Sequence, residues 1–271
     1  MQIRTDLALE AKELWEKSAE RTTKLAGVRA VERGRVTQVD ILNAEGAAAL
    51  GKPVGRYLTM ELPRREGDLR EDAKALSGEL TSLMHLQPKD RVLVVGLGNR
   101  SVTPDALGPE VLRHLFLTRH LLQALPEQFG ECRSVSAIAP GVLATTGIES
   151  LELVKGAVRH VKPNCVLCID ALAAGSMERL CRTVQCADGG IAPGSGVGNR
   201  RTAFSKESLG VPVFSLGVPT VVDGGEGMIL TPGDIDAQIR YLSALLASAI
   251  NLCLHPMFDY EDFTQFVPIY G

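Results

Sequence analysis

Aromatic residues are scarce in this chain of 271 residues, at 4%. Val, Leu, Ala and Ile must therefore do most of the packing. Charge of one sign is also lacking: the formal net charge is −3, and acidic and basic residues mix along the chain. That balance gives no argument for a nucleic-acid or membrane surface. No uninterrupted apolar run approaches the ~20 residues of a membrane span. The opening MQIRTDLALEAKELW has no apolar signal-peptide core, so a cytoplasmic location is expected. Several catalytic signatures are absent too. There is no Gly-Lys-Ser/Thr phosphate loop, no His-Glu-x-x-His and no Gly-x-Ser-x-Gly elbow. Gly96-Leu-Gly98 is not a dinucleotide fingerprint, because its third glycine would fall at Ser101.

Six cysteines are present, at irregular spacing. Cys165 and Cys168 form a CxxC inside the apolar run NCVLCID. Residues three apart on a strand point to opposite faces, which makes a shared metal or redox pair geometrically poor. Buried free thiols in a reducing compartment are expected. His114 and His120 are six apart, about 240° around a helix, and do not share a metal.

Apolar residues make up 45% of the chain, enough for a large core. Residues 7–25 carry a helical Leu/Ala/Trp stripe. Residues 33–62 alternate in short runs, as an antiparallel hairpin or a pair of edge strands does. Asp68 to Leu86 is amphipathic, with Leu69, Ala73, Leu76, Leu80 and Leu83 near one face. From Arg91 the pattern changes to short apolar strands alternating with helices. Strands are expected at RVLVVGL, 135–139, 164–172 and 211–219, and helices at 104–122, 148–161 and 234–254, with a helix or a strand pair over 176–187. This alternation implies an α/β fold with a mostly parallel central sheet and helices on both faces. One domain is expected: residues 7–90 decorate an α/β core over 91–254, and an aromatic tail spans 255–271.

Ligands of open α/β sheets bind beyond the carboxyl ends of the strands. Three segments bring polar groups there. In the first, Val95 to Gly108, Thr103 fits an N-cap, Pro104 a first helical residue and Asp105 the first turn, where dipole and free N–H groups favour its anion. In the second, Asp170 ends an apolar strand, where desolvation favours the neutral acid. Either aspartate alone fits a capping role equally well. As neighbours with unlike environments they suit acid–base hydrolysis. The third is the glycine-rich loop Gly189 to Arg201, whose N–H groups fit a peptide strand, an oxyanion or a phosphate. Glu149 and Asp223 are further carboxylates near loops.

At these residues the chain resembles the germination protease family of spore-forming Firmicutes. The stretches that carry the resemblance run in order: IRTDLALEAKE (3–13), GRYLTMEL (55–62), VGLGNRSVTPDALGP (95–109), LTRHL (117–121), APGVLATTGIES (139–150), IDALAA (169–174), PGSGVGNRR (193–201) and LGVPTVVD (216–223). The resemblance implies an atypical aspartic endopeptidase that degrades small acid-soluble spore proteins at germination. It also implies a zymogen that processes itself, a homotetramer, a forespore location and a fold related to hydrogenase maturation proteases. The family's two implicated aspartates match Asp105 and Asp170. Its processing point maps between Asp6 and Leu7. Only six residues lie upstream, so reduced zymogen control is expected. Longer members carry an insertion after the equivalent of Val221-Val-Asp223; here a short Gly-Gly-Glu-Gly follows.

In this mechanism Asp105 and Asp170 activate water and protonate the leaving amine. Gly194, Ser195, Gly196, Gly198 and Asn199 hold the peptide backbone, and Asn99 is a candidate contact for the oxyanion. No cofactor and no metal are expected. Two rivals remain: a metal-assisted peptidase, since the related maturation proteases work around nickel, and a sporulation binding protein without catalysis.

Overall fold

The computed structural model describes residues 4–18, 25–63, 68–194, 202–225 and 228–266. It is an α/β structure built on a nine-stranded sheet of order β1-β2-β3-β7-β8-β6-β4-β5, with β9 paired to β8. Chain order gives α1 (Ala8–Ser18), β1 (Val28–Arg33), β2 (Val36–Ile41), α2 (Ala44–Leu50), β3 (Gly55–Glu61), α3 (Leu69–Met84) and β4 (Arg91–Gly96). Then follow α4 (Leu107–Leu112), α5 (Arg119–Ala124), α6 (Pro126–Phe129), β5 (Ser134–Ile138), α7 (Leu143–Thr146), α8 (Ser150–Val161), β6 (Cys165–Ala174) and β7 (Thr183–Ala187). Last come α9 (Lys206–Leu209), β8 (Val213–Gly225), β9 (Met228–Leu230), α10 (Ile235–Leu254) and α11 (Tyr260–Phe266).

The sheet is mixed rather than mostly parallel. β5, β4, β6 and β8 are parallel neighbours, whereas β1, β2, β3, β7 and β9 join by antiparallel pairs. Chain length explains β7. A parallel crossover needs a dozen or more residues, and only 175–182 separate β6 from β7. The segment 176–187 is accordingly one 3-10 turn and one strand, not a helix or a strand pair.

Helices cover both faces. Val92, Val94, Leu167 and Ile169 point to the side packed by α3, α4 and α10, while Leu93, Val95, Val166 and Cys168 point to the side packed by α8. Cys165 and Cys168 therefore do face opposite sides. All six cysteines are buried free thiols. Leu76, Leu80, Leu242 and Leu245 are fully buried between α3 and α10, each contributing about 1.5–3 kcal/mol. By length and apolar composition α10 could cross a membrane. Here 72% of that window is buried within the fold, as a central core helix is.

Two helices differ from the sequence pattern. α1 ends by Ser18, residues 19–24 lie outside the described set, and Leu25 is not helical. The expected helix over 104–122 is broken into a 3-10 turn, α4 and α5. Tertiary hydrogen bonds replace the helical ladder there. Asn251 Oδ1 accepts from Phe116 N–H and its Nδ2 donates to His114 O, while Thr118 N–H donates to Val135 O. In the tail, Phe258 and Phe263 pack on Phe116 and His255 of the same chain.

Candidate active site

β4 leads to β5 on one side, and the chain then crosses to β6 on the other side of β4. The crevice between the carboxyl ends of β4 and β6 is the switch point at which such sheets bind ligands. Leu97 N–H donates to Ile169 O at 2.8 Å, which ties the exit of β4 to β6. Gly98 then takes φ +113°, and a Cβ there would stand 2.0 Å from Asp105 O. Gly108 is equally confined, with a Cβ falling 2.3 Å from Leu97 O and 2.6 Å from Ile169 O. These two glycines let the Asp105 turn lie directly on the strand ends.

Asp105 ends a one-turn 3-10 helix, Thr103–Asp105, instead of opening a long helix. Thr103 is not its cap. Extended Val102 occupies that place and makes no side-chain cap bond, since valine carries no polar side-chain atom. A loop amide rather than a helix dipole holds the carboxylate: Asn99 N–H donates to Asp105 Oδ2 at 2.7 Å. Thr220 Oγ1 donates to Pro104 O at 2.7 Å, fixing the turn from β8. Asp170 is 4% exposed, and its Oδ1 accepts from Ala171 N–H at 3.0 Å. It shares the strand parity of Val166 and Cys168 and so belongs to the α8 side.

Both aspartates line one cavity of about 410 Å³. Asp6 and Glu149 add two more carboxylates, and Leu97, Leu151, Phe204 and Ile229 add apolar wall. Among the described residues lining it, none is basic. Gly194 lines it with φ +74°. Ser195, Gly196, Gly198 and Asn199 lie outside the described residues. Asn99 is not among the lining residues, and its Oδ1 accepts from Ser101 N–H in a local turn. The structure thus places Asn99 beneath Asp105 as a support. Leu7 is fully buried in the core while Asp6 reaches the cavity. Thr220 was not singled out by sequence. A polar residue inside the apolar LGVPTVVD was the one available signal, for Thr220.

Burial pushes the Cys165 and Cys181 thiols up to about 12 and raises Cys168 and Cys186 as well, which leaves no reactive thiolate at neutral pH. Among the described residues, no three His, Cys, Asp or Glu side chains come together as a metal site.

A family model described as germination protease, peptidase A25, matches residues 8–226, a stretch that includes both Asp105 and Asp170. The chain belongs to the germination protease family. It is similar to the germination protease of Caldanaerobacter subterraneus subsp. tengcongensis, 41% identical over 320 residues that cover 97% of each chain. A germination protease of Clostridium perfringens is 39% identical over 323 residues, covering 98% of this chain and 99% of its own. That of Bacillus subtilis is 45% identical over 234 residues, 82% of this chain and 63% of its own. The first two alignments are longer than the 271 residues here, so those germination proteases carry segments that this chain lacks.

Proposed function

We propose that this member of the germination protease family cuts small acid-soluble spore proteins by aspartate-assisted attack of water, with Asp105 and Asp170 as the working pair. The observation that carries the mechanism is that one cavity at the strand ends is lined by both carboxylates. In the attack, water oxygen bonds to the scissile carbonyl carbon and one carboxylate takes its proton. The other, as the acid, protonates the amine as the C–N bond breaks. The two differ in burial and hydrogen bonding, as an acid–base pair requires. Apolar walls strengthen these charges by excluding water, and Gly194 on the cavity wall orients the peptide backbone.

The same reading includes a single peptidase domain, kinship with the hydrogenase maturation protease fold, a spore-core location and a homotetramer. It also includes processing between Asp6 and Leu7. Asp6 O accepts from Gln185 Nε2 and Leu7 is fully buried, so residues 5–8 must undock before that bond is cut.

The test mixes the purified protein with a small acid-soluble spore protein. Discrete fragments are expected. Asp105→Asn and Asp170→Asn are expected to give none in the time the wild type needs for complete cleavage, while keeping the wild-type circular dichroism. Full activity in both variants would overturn the proposal.

A further inference from the structure

A proline, Pro219, stands inside the central strand β8. It has no N–H to give to the ladder, so a proline in such a strand belongs at a bulge. The ladder between β6 and β8 steps there from Leu172↔Pro219 to Ala173↔Val221. Thr220 is thereby left with no rung opposite it on β6. Pro219 O accepts from Cys181 N–H at 2.7 Å, outside that ladder. Bulges re-aim side chains beside active sites. The residue set free here is Thr220, which has no exposed surface. Its Oγ1 donates to Pro104 O at 2.7 Å, and its own carbonyl accepts from Thr231 Oγ1 at 2.9 Å.

Through this bulge β8 meets both aspartates. Asp170 is held by the ladder, opposite Gly217 and just before the bulge. A Cβ at Gly217 would stand 2.8 Å from Asp170 O, so the two strands lie close at that rung. Asp105 is reached through its neighbour Pro104. The chain that carries it leaves β4, on the other side of β6. At the usual strand spacing that is about 10 Å from β8. Asn99 N–H on Asp105 Oδ2 and Asp105 N–H on Val102 O are bonds within the loop, and they shape the turn. Gly98 and Gly108 seat its base on the strand ends. The Thr220 hydroxyl fixes its tip to the strand that also registers Asp170.

We propose that Thr220 is a positioning residue for the reaction. Its hydroxyl sets the distance of the Asp105 carboxylate from Asp170, and Thr231 steadies it from behind. Pro219 frees Thr220 for this task. The proposal rests on the peptidase reading and adds to it the residue that spaces the pair.

Thr220→Val and Thr220→Ala remove the hydroxyl, and Thr220→Ser keeps it. On a small acid-soluble spore protein the first two are expected to lower kcat by about 10–100-fold, the scale of a misplacement of about 1 Å. KM is expected to change little, and Thr220→Ser is expected to run near the wild-type rate. Wild-type kcat in Thr220→Val or Thr220→Ala would overturn the proposal, and so would a loss that Thr220→Ser shares. A second readout needs no substrate. Two carboxylates that face each other titrate at separated apparent values, and the gap shrinks as they move apart. Asp6 and Glu149 share the cavity and are kept in every variant. Carbon-13 NMR of the aspartate carboxyls, assigned with Asp105→Asn and Asp170→Asn, follows the pair. The gap is expected to narrow in the variants without the hydroxyl and to return in Thr220→Ser. An unchanged gap overturns the proposal whether or not the protein cleaves. Should neither variant fold, Thr231→Val loosens Thr220 from behind, and an unchanged gap there does the same. A gap that responds as expected, in a protein whose wild type cuts nothing, contradicts the peptidase reading alone.

Discussion

His255 has no exposed surface, and its Nε2 lies 3.2 Å from Phe116 O within a ring of phenylalanines. Burial pushes its pKa down from 6.5 to about 4, with Arg133 adding to the effect. The folded protein therefore binds the proton more weakly than the unfolded chain. The stability this contributes is present above pH 6.5 and is lost as pH falls toward about 4. Its full size is on the order of 3 kcal/mol. Urea midpoints measured from pH 7 to 4 should fall more steeply for the wild type than for His255→Gln. Parallel slopes would show that the histidine is not the proton sink. At this scale Asp170 stood out in the sequence as an aspartate ending an apolar run, and Asp105 as an acid just after Thr103-Pro104; their common cavity is what the fold adds. Gln185 did not stand out, since it meets Asp6 and Ala8 only through the folded sheet.

Among the elements, the turn that carries Asp105 depends on Gly108. An alanine there must push back Leu97 O and Ile169 O, both backbone atoms. Gly108→Ala is expected to cost ~1–3 kcal/mol as overpacking and to lower kcat by shifting Asp105 against Asp170. Thermal melts and kinetics on the same preparation test this, and a variant with wild-type stability and kcat would contradict it. The strands β4, β5, β6 and β8 and the helices α3, α8 and α10 could be read from apolar period and length alone. The break between α4 and α5 could not, because Asn251 and Val135 supply the competing hydrogen bonds from far along the chain. The antiparallel sense of β7 was hidden for a related reason. A strand's composition does not record its direction; the short loop before it does.

For the whole molecule, strand order decides the site. The chain reverses about β4, opening one crevice between β4 and β6 and delivering one aspartate from each. If the two act as a unit, their losses should not multiply. The most direct measurement is kcat on a small acid-soluble spore protein for Asp105→Asn, Asp170→Asn and the double variant. Each single change is expected to lower kcat by ~10²–10⁴, with the double variant no worse than the weaker single one. A single variant at wild-type rate, or a double variant whose loss is the product of the two, would contradict a shared aspartate site.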